Sequence, residues 1–262
     1  PKSRVAGKLN EGRFMTDTYR PTKIWSLLTV ACFAFVVLFE VFAILVAIGQ
    51  VMNPESMIDI DTGETMSVWI LVQSTLALVY APVALATIVF FLIWLNKSYK
   101  NLAALRPNYL QFSSGWAVGY WFVPFLALWK PFQVVREVWW ESDPEIPEGQ
   151  MFLTESLHSA PTYMGVWWAF WIASNIANNI AGRAYEADTP DEVLIGGIIW
   201  IVASLLSIVA AILAAAVVRE ISARQAARLL SVRELEDKEA RLKYEQAPSS
   251  PWSPEDLPQQ NA

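Results

Sequence analysis

Glu40 is the residue of this sequence best placed to do chemistry, because it is the one charge in a 25-residue apolar run, Ile24–Ile48. A carboxylate at membrane depth costs on the order of 2.5–3.5 kcal/mol on insertion scales, so it must face other helices and find partners among them. Glu40 lies nine residues before Gly49, or ~13 Å at the helical rise of ~1.5 Å per residue. Gln73, Ser74 and Thr75, then Asn175, and then Ser204 fall at a similar distance from the ends of their own apolar runs. Asn178 and Asn179 share a helical face with Asn175 at i, i+3 and i+4 spacing. These positions predict an intramembrane polar layer built from Glu40, Gln73, Thr75, Asn175, Asn178 and Asn179. Such a layer either holds a proton, ion or ligand or fixes helix registry through interhelical hydrogen bonds of ~0.6–2 kcal/mol each. Registry is the more common use and is the expectation here.

A second constellation fills Ser113–Trp140, which carries five of the 13 tryptophans and is broken by Pro124 and Pro131. Gly115 and Gly119 make a G-x-x-x-G helix-contact pattern, and Trp116, Tyr120, Trp121 and Trp129 suit the headgroup level of a bilayer. Pro131 fits the first turn of a new helix. Phe132, Val135, Val138 and Trp139 form its apolar face, while Gln133, Arg136, Glu137, Trp140 and Glu141 form the other. There Arg136 can reach Trp140 for a cation–π contact. The face reads as a partner-docking or lipid-headgroup surface or as a solvated one. A third pattern is the ladder Ala203, Ser207, Ala211 and Ala215, whose i, i+4 spacing of small residues lets another helix approach closely.

No phosphate-binding loop, dinucleotide glycine fingerprint, zinc-protease helix motif or nucleophile elbow is present. No catalytic residue is therefore assigned. A single cysteine, Cys32, and a single histidine, His158, rule out an intramolecular disulfide, a cysteine or histidine metal site and a histidine-ligated haem. No cofactor and no nucleic-acid partner is expected. His158 stands among Glu155, Ser156 and Ser159 and reads as a solvated loop side chain.

The elements that must position these residues follow from apolar runs and turn chemistry. With 55% hydrophobic residues in long blocks, the chain is an integral membrane protein. Residues 1–23 hold six Lys/Arg against two acids and read as a flexible cytoplasmic segment. Spans are expected over 24–48, 67–95, 163–182 and 193–218, with a helix running on from the second to about residue 105. Pro82 interrupts that second span by removing a backbone donor. Tryptophans 167, 168 and 171 open the third span as an interfacial belt. Residues 219–246 should form a charged amphipathic helix, since Glu234–Lys238, Asp237–Arg241 and Glu239–Lys243 place each acid four residues before a base. The Pro/Ser/Gln-rich residues 247–262 read as a disordered tail.

Lys/Arg counts beside the spans set the orientation. The N-terminus, the patch Lys97–Arg106 and the stretch Arg219–Arg233 all belong on the cytoplasmic side. Four spans satisfy this only if 113–129 enters and leaves on that face, followed by an interfacial helix over 131–141. The expected fold is an all-α integral membrane protein. Its four-helix transmembrane bundle carries a re-entrant or interfacial Trp-rich hairpin and a cytoplasmic C-terminal helix.

The segments Phe90–Leu105, Phe112–Trp140 and Trp167–Arg183 resemble the bacterial membrane family catalogued as domain of unknown function 4328. The shared pattern is F-x-x-W followed by N-L, then G-W-A-V-G-x-W-F-V-P, then P-Y/F-Q-V-x-R-E-x-W and a W-W-x-x-W span. Trp94, Asn101, Leu102, Gly115, Trp116, Gly119, Trp121, Pro124, Pro131, Gln133, Arg136, Glu137 and Trp139 carry it here. The resemblance covers most of 24–219 and implies a bacterial inner-membrane location but no activity. The long charged C-terminal helix and the Pro-rich tail look like additions to the family core.

The functional expectation is a non-enzymatic accessory or scaffold subunit, associated with lipids and with other membrane subunits or a second copy. The alternatives are a small ion- or proton-linked transporter working through Glu40 and a lipid-binding protein working through the hairpin and Arg136.

Overall fold

The computed structural model describes residues 19–52, 68–105, 110–145, 160–183 and 190–246. His158, most of the N-terminal segment, Pro-rich residues 247–262 and the side chain of Gln73 lie outside the described residues. Among the described residues the chain is helical throughout, without a strand.

Helix α1 spans Lys23–Met52 and α2 spans Val68–Leu102, which tightens into a 3₁₀ turn over Ala103–Leu105. Short helix α3 covers Ser114–Gly119, capped by the Ser113 side chain on the Trp116 N–H. Two 3₁₀ turns follow, Tyr120–Phe122 and Leu126–Leu128. Helix α4 is Lys130–Glu141, with Pro131 in its first turn, where the missing N–H costs nothing. Helix α5 is Thr162–Arg183, and α6 runs unbroken over Pro190–Glu245. The expected span 193–218 and the charged helix 219–246 are one continuous helix. No glycine or proline interrupts the join at Val218–Arg219, so the helix carries through.

Three helices are long and apolar enough to cross a membrane: α1, most of α2, and α6 from Leu194. At 56 residues and ~1.5 Å per residue, α6 extends to roughly 84 Å, far beyond a ~30 Å hydrocarbon core.

Contacts set the helix directions. Phe39 stacks on Tyr80, and Arg20 exchanges hydrogen bonds with the Asn101 side chain, so α1 and α2 run antiparallel. Glu40 meets Ser204, and a Cβ on Gly197 would sit 2.7 Å from the Val51 methyl Cγ2, so α6 runs antiparallel to α1. That glycine permits the close approach. Asn178 pairs with Ser207 and Tyr163 with Glu220, so α5 and α6 also oppose each other. The most extensive packing is α6 on α1 and on α5, then α1 on α2, whereas α2 and α5 stay largely apart.

The core gathers at one end of this assembly, the end that holds α3, α4 and the turns between them. Trp94, Leu95, Leu102, Val134, Val135, Val138, Met164, Trp167, Val217 and Ile221 are buried there. Trp121 wedges between α2 and α5, with its ring 5.2 Å from Phe91, 5.8 Å from Trp168 and 5.5 Å from Trp171. Trp167 and Trp168 are therefore buried and not a lipid-facing belt. Their apolar rings are consumed by the folded-back segment, a partner that lies some 50 residues away and that periodicity within one helix does not reveal.

Candidate functional site: a cleft between α2 and α5

Because Trp121 holds α2 and α5 apart, a cavity of about 410 Å³ remains between them. Its apolar walls include Phe33, Val36, Ala84, Ile88 and Leu92. Trp121, Phe122, Trp167 and Trp171 line its hairpin end, and the alanines Ala210, Ala211 and Ala214 of α6 form the back. Polar groups are few: Tyr80, Thr87, Ser174, Asn175, Asn178 and Ser207.

Most of those polar groups are held by their own helices. Asn175 Nδ2 donates to the Trp171 carbonyl at 2.7 Å, and Asn178 Nδ2 donates to the Ser174 carbonyl at 2.8 Å and to Ser207 Oγ at 3.1 Å. Thr87 Oγ1 donates to the Val83 carbonyl. With the amide nitrogens engaged, the amide oxygens of Asn175 and Asn178 are the acceptors left to serve a ligand. The indole N–H groups of Trp121 and Trp167 are buried and find no acceptor among the described residues. Buried donors are normally satisfied, so two orphans on one cavity are a chemical signal.

The expected polar layer divides in two. Glu40 is buried between α1, α2 and α6, hydrogen-bonded to the side chains of Tyr80 and Ser204. Asn175, Asn178 and Ser207 instead face the cleft, and Tyr80 joins the two groups by lining it. Asn179 and Thr75 are exposed. Tyr80 was missed in the sequence. Its one signal was a polar-tipped ring two residues before Pro82 in an otherwise apolar run.

The small-residue ladder is engaged within the chain. Ala203 and Ala211 are buried, Ser207 bonds Asn178, and Ala215 is half-buried. The glycine pair is not a helix contact among the described residues. Gly115 has open space where a Cβ would stand, and at Gly119 it would meet the Trp116 ring at 3.2 Å. Trp129 is exposed, and Gln133 accepts from Lys130 Nζ at 3.0 Å.

Glu137 lies on the face that the sequence marked as polar, yet it is buried. Gln111 N–H donates to Oε1, and Tyr99 Oη lies 2.9 Å from Oε2. Tyr99 Oη also lies 2.6 Å from the Phe112 carbonyl and 3.1 Å from the Phe112 N–H. The Tyr99 hydroxyl is thus shared between the Glu137 carboxyl and the Phe112 carbonyl as acceptors. Burial pushes the Glu137 carboxyl above its ordinary range, opposed by the Gln111, Tyr99 and Phe112 hydrogen bonds and aided by Glu141.

The same end holds a second polar cluster. Arg224 pairs with Asp143 at 2.5 Å and stacks over Trp139 at 3.9 Å. Trp139 Nε1 donates to Glu220 at 2.9 Å, and Tyr163 donates to the same carboxylate. Among the described residues no group of acidic, cysteine or histidine side chains is arranged to hold a metal ion.

Residues 61–223 match the family described as Domain of unknown function (DUF4328). The chain belongs to the DUF4328 family. The matched segment takes in α2 to α5, the cleft's aromatic end and α6 as far as Ala223. It starts after α1, so Glu40 lies outside it, whereas Trp121, Arg136, Glu137, Asn175 and Asn178 lie within. No curated protein and no solved structure matches the chain.

Proposed function

We propose that this DUF4328 protein is a membrane-embedded binding protein that takes a lipid-like amphiphile into the cleft between α2 and α5. The cleft carries the reading. It has the size of a small-molecule pocket, ~300–1,000 Å³, it is mostly apolar, and its polar groups converge from α2, α5 and α6. An acyl or isoprenoid chain suits the aliphatic walls, and oxygen acceptors on the ligand suit the orphan indole donors of Trp121 and Trp167.

The placement we propose is four crossing helices, α1, α2, α5 and α6, in a bacterial inner membrane. Residues 113–129 form a hairpin at the cytoplasmic interface, 131–141 an interfacial helix, and both chain ends are cytoplasmic. At 22 residues, or ~33 Å, α5 is long enough to cross although Asn175, Asn178 and Asn179 make it polar. Lys97, Lys100, Arg219, Arg224 and Arg228 gather at the hairpin end, the distribution that cytoplasmic faces carry.

A role as an accessory or scaffold subunit keeps one surface, the stretch of α6 beyond Val232, where Leu235, Leu242 and Tyr244 are exposed. Proton-linked transport keeps less, because Glu40 is buried and already bonded to two hydroxyls.

The test is photolabelling of the full chain in bilayers with an acyl-chain diazirine lipid, read by peptide mass spectrometry. Labels should concentrate at Thr87, Phe91 and Asn175. Even labelling of these and of outward residues such as Leu27, Leu38 and Leu85 would refute the cleft.

A further inference from the structure

The α4 face next to the hairpin tip holds a cation, Arg136, that meets no carboxylate among the described residues. The Arg136 guanidinium lies 4.6 Å from the Trp140 ring centroid and 5.9 Å from that of Phe132. Its Nε is buried, with no hydrogen-bond acceptor among the described residues. Two carboxylates near it in sequence are engaged elsewhere, Glu137 with Gln111 and Tyr99, and Asp143 with Arg224. Earlier on the same helix, Lys130 contacts the Gln133 amide oxygen and the Phe112 ring. A guanidinium clamped by rings is held in one plane with its N–H fork pre-oriented, the geometry that suits a phosphate oxygen pair.

The hairpin tip beside this face is built to meet lipid. Phe125 adopts φ 65° and ψ −50°, the one positive-φ non-glycine among the described residues, and the Leu126 N–H donates to the Pro124 carbonyl across it at 2.8 Å. That is a γ-turn of the strained kind. It turns Phe125 outward, 77% exposed, alongside Phe122 at 69%, with Leu128 and Trp129 half-exposed. Apolar side chains displayed by a strained turn, next to cations that meet no carboxylate among the described residues, describe a surface seated at the boundary of acyl chains and headgroups.

We propose that Arg136, with Lys130 and Gln133, binds the phosphate of an anionic phospholipid headgroup while Phe122, Phe125 and Leu128 sit in the acyl region beneath it. Phosphate as such would also satisfy the guanidinium, but the adjoining apolar tip commits the site to a lipid. The site is separate from the cleft and stands whether or not the cleft takes a ligand.

The test uses the full chain in nanodiscs of zwitterionic lipid doped with a fixed fraction of anionic phospholipid, with retained lipid counted by native mass spectrometry. The wild type should retain the anionic lipid about tenfold more tightly than the zwitterionic one. Arg136→Gln should abolish that preference, and Arg136→Lys, which keeps the charge but not the planar fork, should keep part of it. Should Arg136→Gln not fold, Lys130→Gln reads the same preference and should reduce it two- to threefold. An equal affinity for both lipids in the wild type would overturn the proposal. So would a preference unchanged in every variant, or displacement of the lipid by millimolar inorganic phosphate.

Discussion

The two ends of this molecule solve the same problem differently. At the hairpin end, many polar side chains pair over long sequence distances, Arg224 with Asp143, Glu220 with Trp139 and Tyr163, Glu137 with Gln111 and Tyr99, and Trp94 with Ser222, while the Trp121 and Trp167 indoles and Arg136 Nε stay without an acceptor among the described residues. At the far end, the helices rely on small-residue contact such as Gly197 against Val51 and on one buried carboxyl, Glu40. Between the two ends α2 and α5 part, and the cleft opens where neither kind of contact bridges them. A scaffold tied at both ends and parted between them can admit a ligand in the gap without unfolding.

Substitutions should therefore cost most at the hairpin end. Trp94→Ala removes a fully buried ring and its bond to Ser222, and should lose roughly 3–5 kcal/mol. Reversible denaturation of the full chain in detergent measures it. Glu137→Ala strands the Gln111 N–H and the Tyr99 hydroxyl and should lose about 2–4 kcal/mol, whereas Glu137→Gln should lose under about 1 kcal/mol. Closer together, Gly197→Val at the far end should cost about 1–3 kcal/mol, because its added carbon meets the Val51 methyl. Smallest of all, Glu40→Gln should change stability by less than about 1 kcal/mol, since an amide can still bond Tyr80 and Ser204. A loss larger than that of Glu137→Gln would reverse the comparison.

pH sharpens the same contrast. Burial holds the folded-state pKa of Glu137 above the ordinary carboxyl value of 4.5. Between those two values the folded chain therefore binds more protons than the unfolded one. Its contribution to stability is fully present below the unfolded pKa and is lost as pH rises through the folded one. A stability profile of Glu137→Gln should lack this decline, and a decline of equal size in that variant would assign the effect to another group.

Much of the fold was legible because it follows from composition and periodicity. The apolar runs, the break at Pro124 and Pro131, and the helix after Pro131 are properties of neighbouring residues. What was not legible depends on residues far apart in the chain. Glu137 sits where the helical wheel places a solvated acid, and only the return of Gln111 and Tyr99 from 26 and 38 residues away explains its burial. Trp167 and Trp168 read as an interfacial belt for the same reason, since Trp121 and Phe132 supply the rings that cover them. The cleft was invisible in the sequence because it is a gap between two helices.

The most direct test compares the wild type with Ala84→Phe, which adds a ring to the α2 wall of the cleft. Both full-length chains would be purified from native membranes and stripped by graded detergent washing, with bound molecules counted by native mass spectrometry. The wild type should retain one amphiphile per chain after bulk lipid is gone, and Ala84→Phe should lose it with its unfolding midpoint unchanged. A wild type that strips bare as readily as the variant, or a variant that holds the same molecule, would contradict the cleft as the site.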